Sequence, residues 1–149
     1  MSIFPSVPTI TEEEIQQIEG TEQQTNIGRS FVFDFETGQF LVENGQIQET
    51  TELQALEQWI QLCLQTYIDK FNVYKDTGFG CNIEDIIGVK LDAFYESELT
   101  REIEEGLLKN NQIESVNNIS ITQEAISIII DIDVTLTNGD LLQKSGVKI

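Results

Sequence analysis

The stretch Ala125-Ile126-Ser127-Ile128-Ile129-Ile130-Asp131-Ile132-Asp133-Val134-Thr135-Leu136 decides the fold. Read in steps of two, it sets Ile126, Ile128, Ile130, Ile132, Val134 and Leu136 on one face. Ser127, Ile129, Asp131, Asp133 and Thr135 fall on the other, the pattern of a strand buried on one side. Asn138-Gly139 supplies a turn pair that accepts positive φ. Val116, Ile119 and Ile121 lead into the strand from upstream, so the spacing predicts a carboxy-terminal β-hairpin. Residues 141–149, with Lys144 and Lys148, read as a short tail.

Working outward, Leu99, Ile103, Leu107 and Leu108 recur at helical steps, with Glu102, Glu104 and Glu105 on the solvated side. They predict a helix over 97–110, ended by Asn110-Asn111. Before it, residues 71–88 are the least generic part of the chain. Gly78 and Gly80 flank Phe79, which suits a bent loop with an inward aromatic anchor. Asn82 is placed to cap a single turn, Ile83–Ile87, stopped by Gly88. Further upstream, Thr51 and Gln54 form a capping-box pair. Leu53, Leu56, Ile60, Cys63, Leu64 and Tyr67 stripe one face of a helix expected over 52–69, with Trp59 beside the stripe. Phe31, Phe33 and Phe35 alternate with Ser30, Val32 and Asp34, then Thr37-Gly38 and Asn44-Gly45 turn the chain twice, giving a small meander. Pro5 and Pro8 hold residues 1–28 as an extended arm, in which Thr11 and Glu14 would cap a short helix ended by Gly20. The order of arm (1–28), single domain (29–140) and tail (141–149) predicts an α+β fold. Its parts are a small antiparallel sheet, two main helices, an amino-terminal meander and a carboxy-terminal β-hairpin.

The 149 residues suffice for one domain with a substantial core. With 8 basic and 26 acidic side chains the net charge is −18. That surface repels phosphate backbones and anionic lipid headgroups, so nucleic acid and membrane are excluded as ordinary partners. The plain reading of the charge is high solubility, and the sharper one is a partner with basic patches. No apolar run is long enough to cross a bilayer, and no basic-then-apolar leader precedes the domain, so synthesis and folding in the cytoplasm are expected.

Histidine is absent, which removes Ser-His and Cys-His nucleophile pairs, histidine metal sites and the commonest general base. Cys63 and Cys81 are too few for a four-cysteine zinc site and read as free thiols, with a single bridge left open. Carboxylate pairs are the remaining catalytic material. Asp131 and Asp133 share a strand face at a spacing that a glycosidase would accept. The same spacing arises on any solvated strand of so acidic a protein, and the structural reading prevails. Neither a calcium loop nor a phosphate loop is spelled, so no catalytic, cofactor or metal residue is expected. A long alternating strand is also what β-augmentation by another chain requires.

Several runs stand in a family's order: Phe33-Asp34-Phe35-Glu36-Thr37-Gly38, a long helix, Tyr74-Lys75-Asp76-Thr77-Gly78-Phe79-Gly80, Ile86-Ile87-Gly88, then Leu99-Thr100-Arg101-Glu102-Ile103. From about Arg29 to Asp140 the chain resembles the XkdS-like proteins of PBSX-type prophages. These are a branch of the lysozyme-like baseplate wedge proteins, the sheath initiators of contractile phage tails. The resemblance implies a non-enzymatic structural protein of the virion tail baseplate. Its implied partners are the sheath, the tube or hub proteins and other wedge proteins, and it would seed the first sheath ring. Better-known members carry Glu-Pro-Arg after the second helix, where this chain has Asn111-Gln112-Ile113-Glu114-Ser115. Interface candidates therefore come from the loop (Asp76, Gly78, Phe79, Gly80) and from the outer strand face (Ile129, Asp131, Asp133, Thr135). Strand pairing with sheath is expected along Ala125–Leu136. The competing reading is an acidic phage-encoded inhibitor that mimics nucleic acid.

Overall fold

The computed structural model describes residues 28–149; the expected arm, with its Thr11–Glu14 capping box, lies outside the described residues. In chain order the elements are β1 (Phe33–Asp34), β2 (Gln39–Phe40), β3 (Val42–Glu43), β4 (Gln46–Ile47), α1 (Glu52–Gln65), α2 (Ala93–Leu108), β5 (Ile113–Glu124), β6 (Ser127–Leu136) and β7 (Leu141–Lys148). Over the described residues the fold is α+β, with two helices and antiparallel sheets, as the sequence predicts.

The meander is more tightly wound than alternation alone suggests. β1 pairs with β2 and β3 with β4. The first segment also pairs with the last, through Val32 N–H to the Gln48 carbonyl at 2.8 Å and Thr50 N–H to the Ser30 carbonyl at 2.7 Å. Its first turn is built by Asp34. One carboxylate oxygen accepts the Glu36 amide at 2.9 Å, and the other accepts the Thr37 hydroxyl at 2.8 Å. Gly38 closes the turn at φ +69°. The Thr37 hydroxyl, then the Glu36 amide, hold the Asp34 carboxyl below the usual carboxylate range. A carboxyl lowered on folding stabilises above its unfolded value of about 3.9, and this contribution is lost as pH falls through the lower folded value. In an acid titration the Glu36 and Thr37 amide resonances should therefore move together with a midpoint below about 3.9. They should not titrate in Asp34→Asn, and a midpoint at or above the unperturbed value would contradict the turn.

Helix α1 opens on the expected capping box, with Thr51 and Gln54 each satisfying the other's amide. It ends at Gln65, four residues short of the expected Asp69. Thr66 is extended, and the chain from 66 to 68 leaves the helix to pair with Cys81, by Cys81 N–H to the Thr66 carbonyl at 3.0 Å and Ile68 N–H to the Cys81 carbonyl at 3.3 Å. A tertiary partner thus wins over helical periodicity. Leu53, placed by spacing on the buried stripe, is exposed in the first turn. Helix α2 begins at Ala93, earlier than expected, because the Asp92 carboxylate accepts the Tyr95 amide at 3.0 Å. The expected helical turn at Ile83–Ile87 is a run of hydrogen-bonded turns instead, anchored by buried Ile83 and Ile86.

The carboxy-terminal unit is a three-stranded antiparallel sheet in the order β5-β6-β7, so the hairpin has a further strand. This corrects the tail reading of 141–149. Leu142 and Val147 are buried there, while Leu141 stands 70% exposed. A bulge breaks the strict alternation that would have marked β7 as a strand. Ile128, Ile130, Ile132, Val134 and Leu136 join Leu56, Ile60, Leu64, Leu99, Ile103 and Leu107 in one core. The helices therefore cover one face of the sheet. Ile126, counted with that buried row, sits in the β5–β6 turn and is 81% exposed.

Candidate functional site

The sequence-chosen residues fall on two surfaces, separated by the sheet. On the helix side, Phe79 is half-buried with its ring 5.7 Å from Trp59 of α1 and 4.8 Å from Tyr74. Its expected role as an inward anchor is met in part, and the buried members of the segment are Gly80, Cys81, Ile83 and Ile86. Asp76, at φ +62°, is exposed, and the Asp69 carboxylate accepts its amide at 3.2 Å. Lys109, just past α2, donates to the Gly78 carbonyl at 2.6 Å. The loop is therefore strapped to both helices.

Its crossing is close. A Cβ on Gly80, at φ +105°, would meet the Thr66 carbonyl oxygen at 2.4 Å. A Cβ on Gly106 of α2 would meet Cys81 Sγ at 2.7 Å and the Gly80 carbonyl oxygen at 3.1 Å. Cys63 and Cys81 are both free and buried. A hydrogen bond with Cys63, then burial, holds the Cys81 thiol protonated far above its ordinary range.

On the other side, Ile129, Asp131, Asp133 and Thr135 line the outer face of β6, each half-buried. The structure gives the polar three local partners. Asp131 accepts the Gly146 amide at 2.7 Å, pinning the bulge of β7, where Gly146 takes φ +71°. The Asn118 side chain donates to Asp133 at 3.1 Å, and that of Asn117 to Thr135 at 2.7 Å. These asparagines occupy the register shift between Val116 and Ile119 in β5. The adjacent pair Asn117-Asn118 was the only local signal for them. The Asp131–Asp133 pair thus serves bulges on the two neighbouring strands rather than one shared site.

Topology corrects the strand-pairing expectation. β6 is the central strand, and both of its edges are consumed. Ile128 and Ile149 exchange backbone hydrogen bonds of 3.0 and 2.9 Å. Alternation then turns the amides of Ile129 and Asp131 toward β5, opposite Thr122 and Ser120. By the same alternation the amide of Ile121, between those two, points away from β6. The two outer edges are unequal. Lys148 presents its carbonyl outward on β7, where the Gln65 side chain of α1 donates to it at 3.1 Å. β7 also carries Lys144 and Lys148, a charge that discourages pairing. The edge of β5, twelve residues long, has β6 on one side and, among the described residues, no strand on the other.

Comparison with known proteins adds two findings. Residues 29–139 match the family described as contractile injection system sheath initiator. Among curated relatives, the phage-like element PBSX protein XkdS of Bacillus subtilis (strain 168) is 26% identical over 128 residues, covering 82% of this chain and 86% of that protein.

Proposed function

This chain belongs to the contractile injection system sheath initiator family, and from that premise we propose that it is an inner baseplate wedge protein on which the first sheath ring assembles. At the coarse level it is a structural component of a phage tail. Sheath protein would be its principal partner, with tube or hub proteins and other wedge proteins holding it in place. The observation that carries the finer reading is the open edge of β5: a long ladder of backbone donors and acceptors is what an incoming strand needs. Three register shifts interrupt regular pairing elsewhere in the sheet, so β5 offers its cleanest run over Ile119–Glu124.

The direct test is assembly of tail particles with and without this protein. Without it, baseplates and tubes should form while sheath stays unpolymerised, and restoring the protein should restore sheath. Full-length sheath on baseplates that lack the protein would overturn the proposal.

The same reading expects no hydrolase activity. Asp131 and Asp133 are engaged by Gly146 and Asn118, and no histidine is present to act as base. Purified protein should leave peptidoglycan intact. Cleavage that disappears in Asp131→Asn or Asp133→Asn would contradict it.

A further inference from the structure

Cys63 and Cys81, which the proposed function does not use, are free thiols in the shared core. Cys63 stands near the end of α1 and is fully buried, and Cys81, in the loop between the helices, is 1% exposed. Backbone pairing brings them together. Tyr67 and Cys81 form a parallel bridge, and the Cys81 amide donates to the Thr66 carbonyl at 3.0 Å, just past Cys63. Gly106 of α2 closes the space from the far side. Its carbonyl accepts the Cys63 thiol at 3.8 Å, and Cys81 Sγ lies 2.7 Å from the point where a Cβ would stand. Both sulfurs therefore pack on one glycine, and they hydrogen-bond to each other. Such contact is close to what a bridge requires, since the β-carbons of a disulfide are only about 3.5–4.5 Å apart.

We propose that Cys63 and Cys81 are a modification site, which a low-molecular-weight disulfide converts to an intramolecular bridge that staples the loop to α1. The exchange runs in two steps. Cys63 attacks first, because the hydrogen bond from Cys81 favours its thiolate. The reagent's S–S bond breaks, a mixed disulfide forms on Cys63, and the released thiolate takes up the Cys63 proton. Cys81 then attacks the Cys63 sulfur. The Cys63–Cys81 bond forms, the mixed bond breaks, and the second leaving thiolate takes the Cys81 proton. The pair is thus oxidised by two electrons, and one reagent disulfide is reduced to two thiols. Both sulfurs are buried, so the first attack requires the loop to open. Residues 69–77 are suited to this, being exposed apart from Tyr74 and bonded mainly in local turns. Reclosure favours the second attack, because a close-packed core has no room for the leaving group. The bridge closes a ring around residues 64–80, which restrains the unfolded chain and stabilises the fold.

The full chain, reduced and then freed of reductant, is treated under native conditions with 2,2′-dithiodipyridine. This reagent is uncharged, so a protein of net charge −18 does not repel it. The product should be a monomer lighter than the parent by two hydrogens, with no pyridyl group attached. Digestion should give one pair of peptides joined through Cys63 and Cys81. Its melting temperature should rise by roughly 10 °C. The amides of Ile68 and Cys81, which bond across the crossing, should exchange with solvent more slowly. Dithiothreitol should reverse all of these changes. Cys81→Ala should instead stop with one pyridyl group on Cys63. Two pyridyl groups on the parent chain, thiols that stay unreacted, or a dimer joined through sulfur would overturn the proposal. So would a bridged monomer that melts below the reduced form, since its bridge would belong to a distorted fold. None of these outcomes bears on sheath initiation, which is read by particle assembly.

Discussion

Gly80→Ala should cost about 3 kcal/mol or more and lower the melting temperature by roughly 10 °C. Two penalties add. An alanine at φ +105° is strained by about 1–3 kcal/mol, and its Cβ would lie 2.4 Å from the Thr66 carbonyl oxygen. That oxygen cannot retreat, since it already accepts the Cys81 amide at 3.0 Å. Gly45→Ala is the control: it too has positive φ, at +78°, but nothing lies within 4 Å of its Cβ position. The difference between the two melts isolates the close approach. Gly106→Ala tests the same crossing from the helix side, where alanine is otherwise the better helix former by roughly 0.5–1 kcal/mol. It should nonetheless destabilise, and Cys81→Ala should recover part of the loss, because the 2.7 Å contact is to the sulfur. A Gly106→Ala melt at or above that of the parent would show that the loop does not cross here.

Ile121→Pro should abolish sheath initiation while the domain stays folded, whereas Ile129→Pro should unfold it. Proline removes a backbone donor and is tolerated in a sheet where that donor faces solvent. The Ile121 amide points out from the β5 edge; that of Ile129 points into the β5–β6 ladder, opposite Thr122. Ile121 also contributes a half-buried side chain. Ile121→Ala, which keeps the donor, is therefore the necessary companion and should still support sheath. Circular dichroism establishes folding, and electron microscopy of assembled tails reads sheath. A folded Ile121→Pro protein that still seeds full-length sheath would remove β5 pairing from the proposed function and leave the outer face of β6 as the candidate surface. By comparison Asp131→Asn should do little, because an asparagine oxygen can still accept the Gly146 amide.

What the chain alone determined was local and periodic. The buried row of β6, the capping box of α1, the stripe of α2 and the two turns of the meander follow from period-two or period-3.6 burial and from residues with one preferred backbone role. So did the family, because motifs such as Asp34-Phe35-Glu36-Thr37-Gly38 encode a self-contained turn that survives without its surroundings. The long-range relations were decided by tertiary structure. That β6 is central depends on β7, whose alternation is broken by a bulge that an aspartate on a different strand stabilises. That α1 ends at Gln65 depends on Cys81, and that Gly106 must be glycine depends on the same cysteine. The loop residues and the strand residues, read as one set of interface candidates, were placed on opposite sides of the sheet by packing. Sequence periodicity reports which face of an element is buried; what lies against that face, and which edge is left open, is set by contacts between residues far apart in the chain.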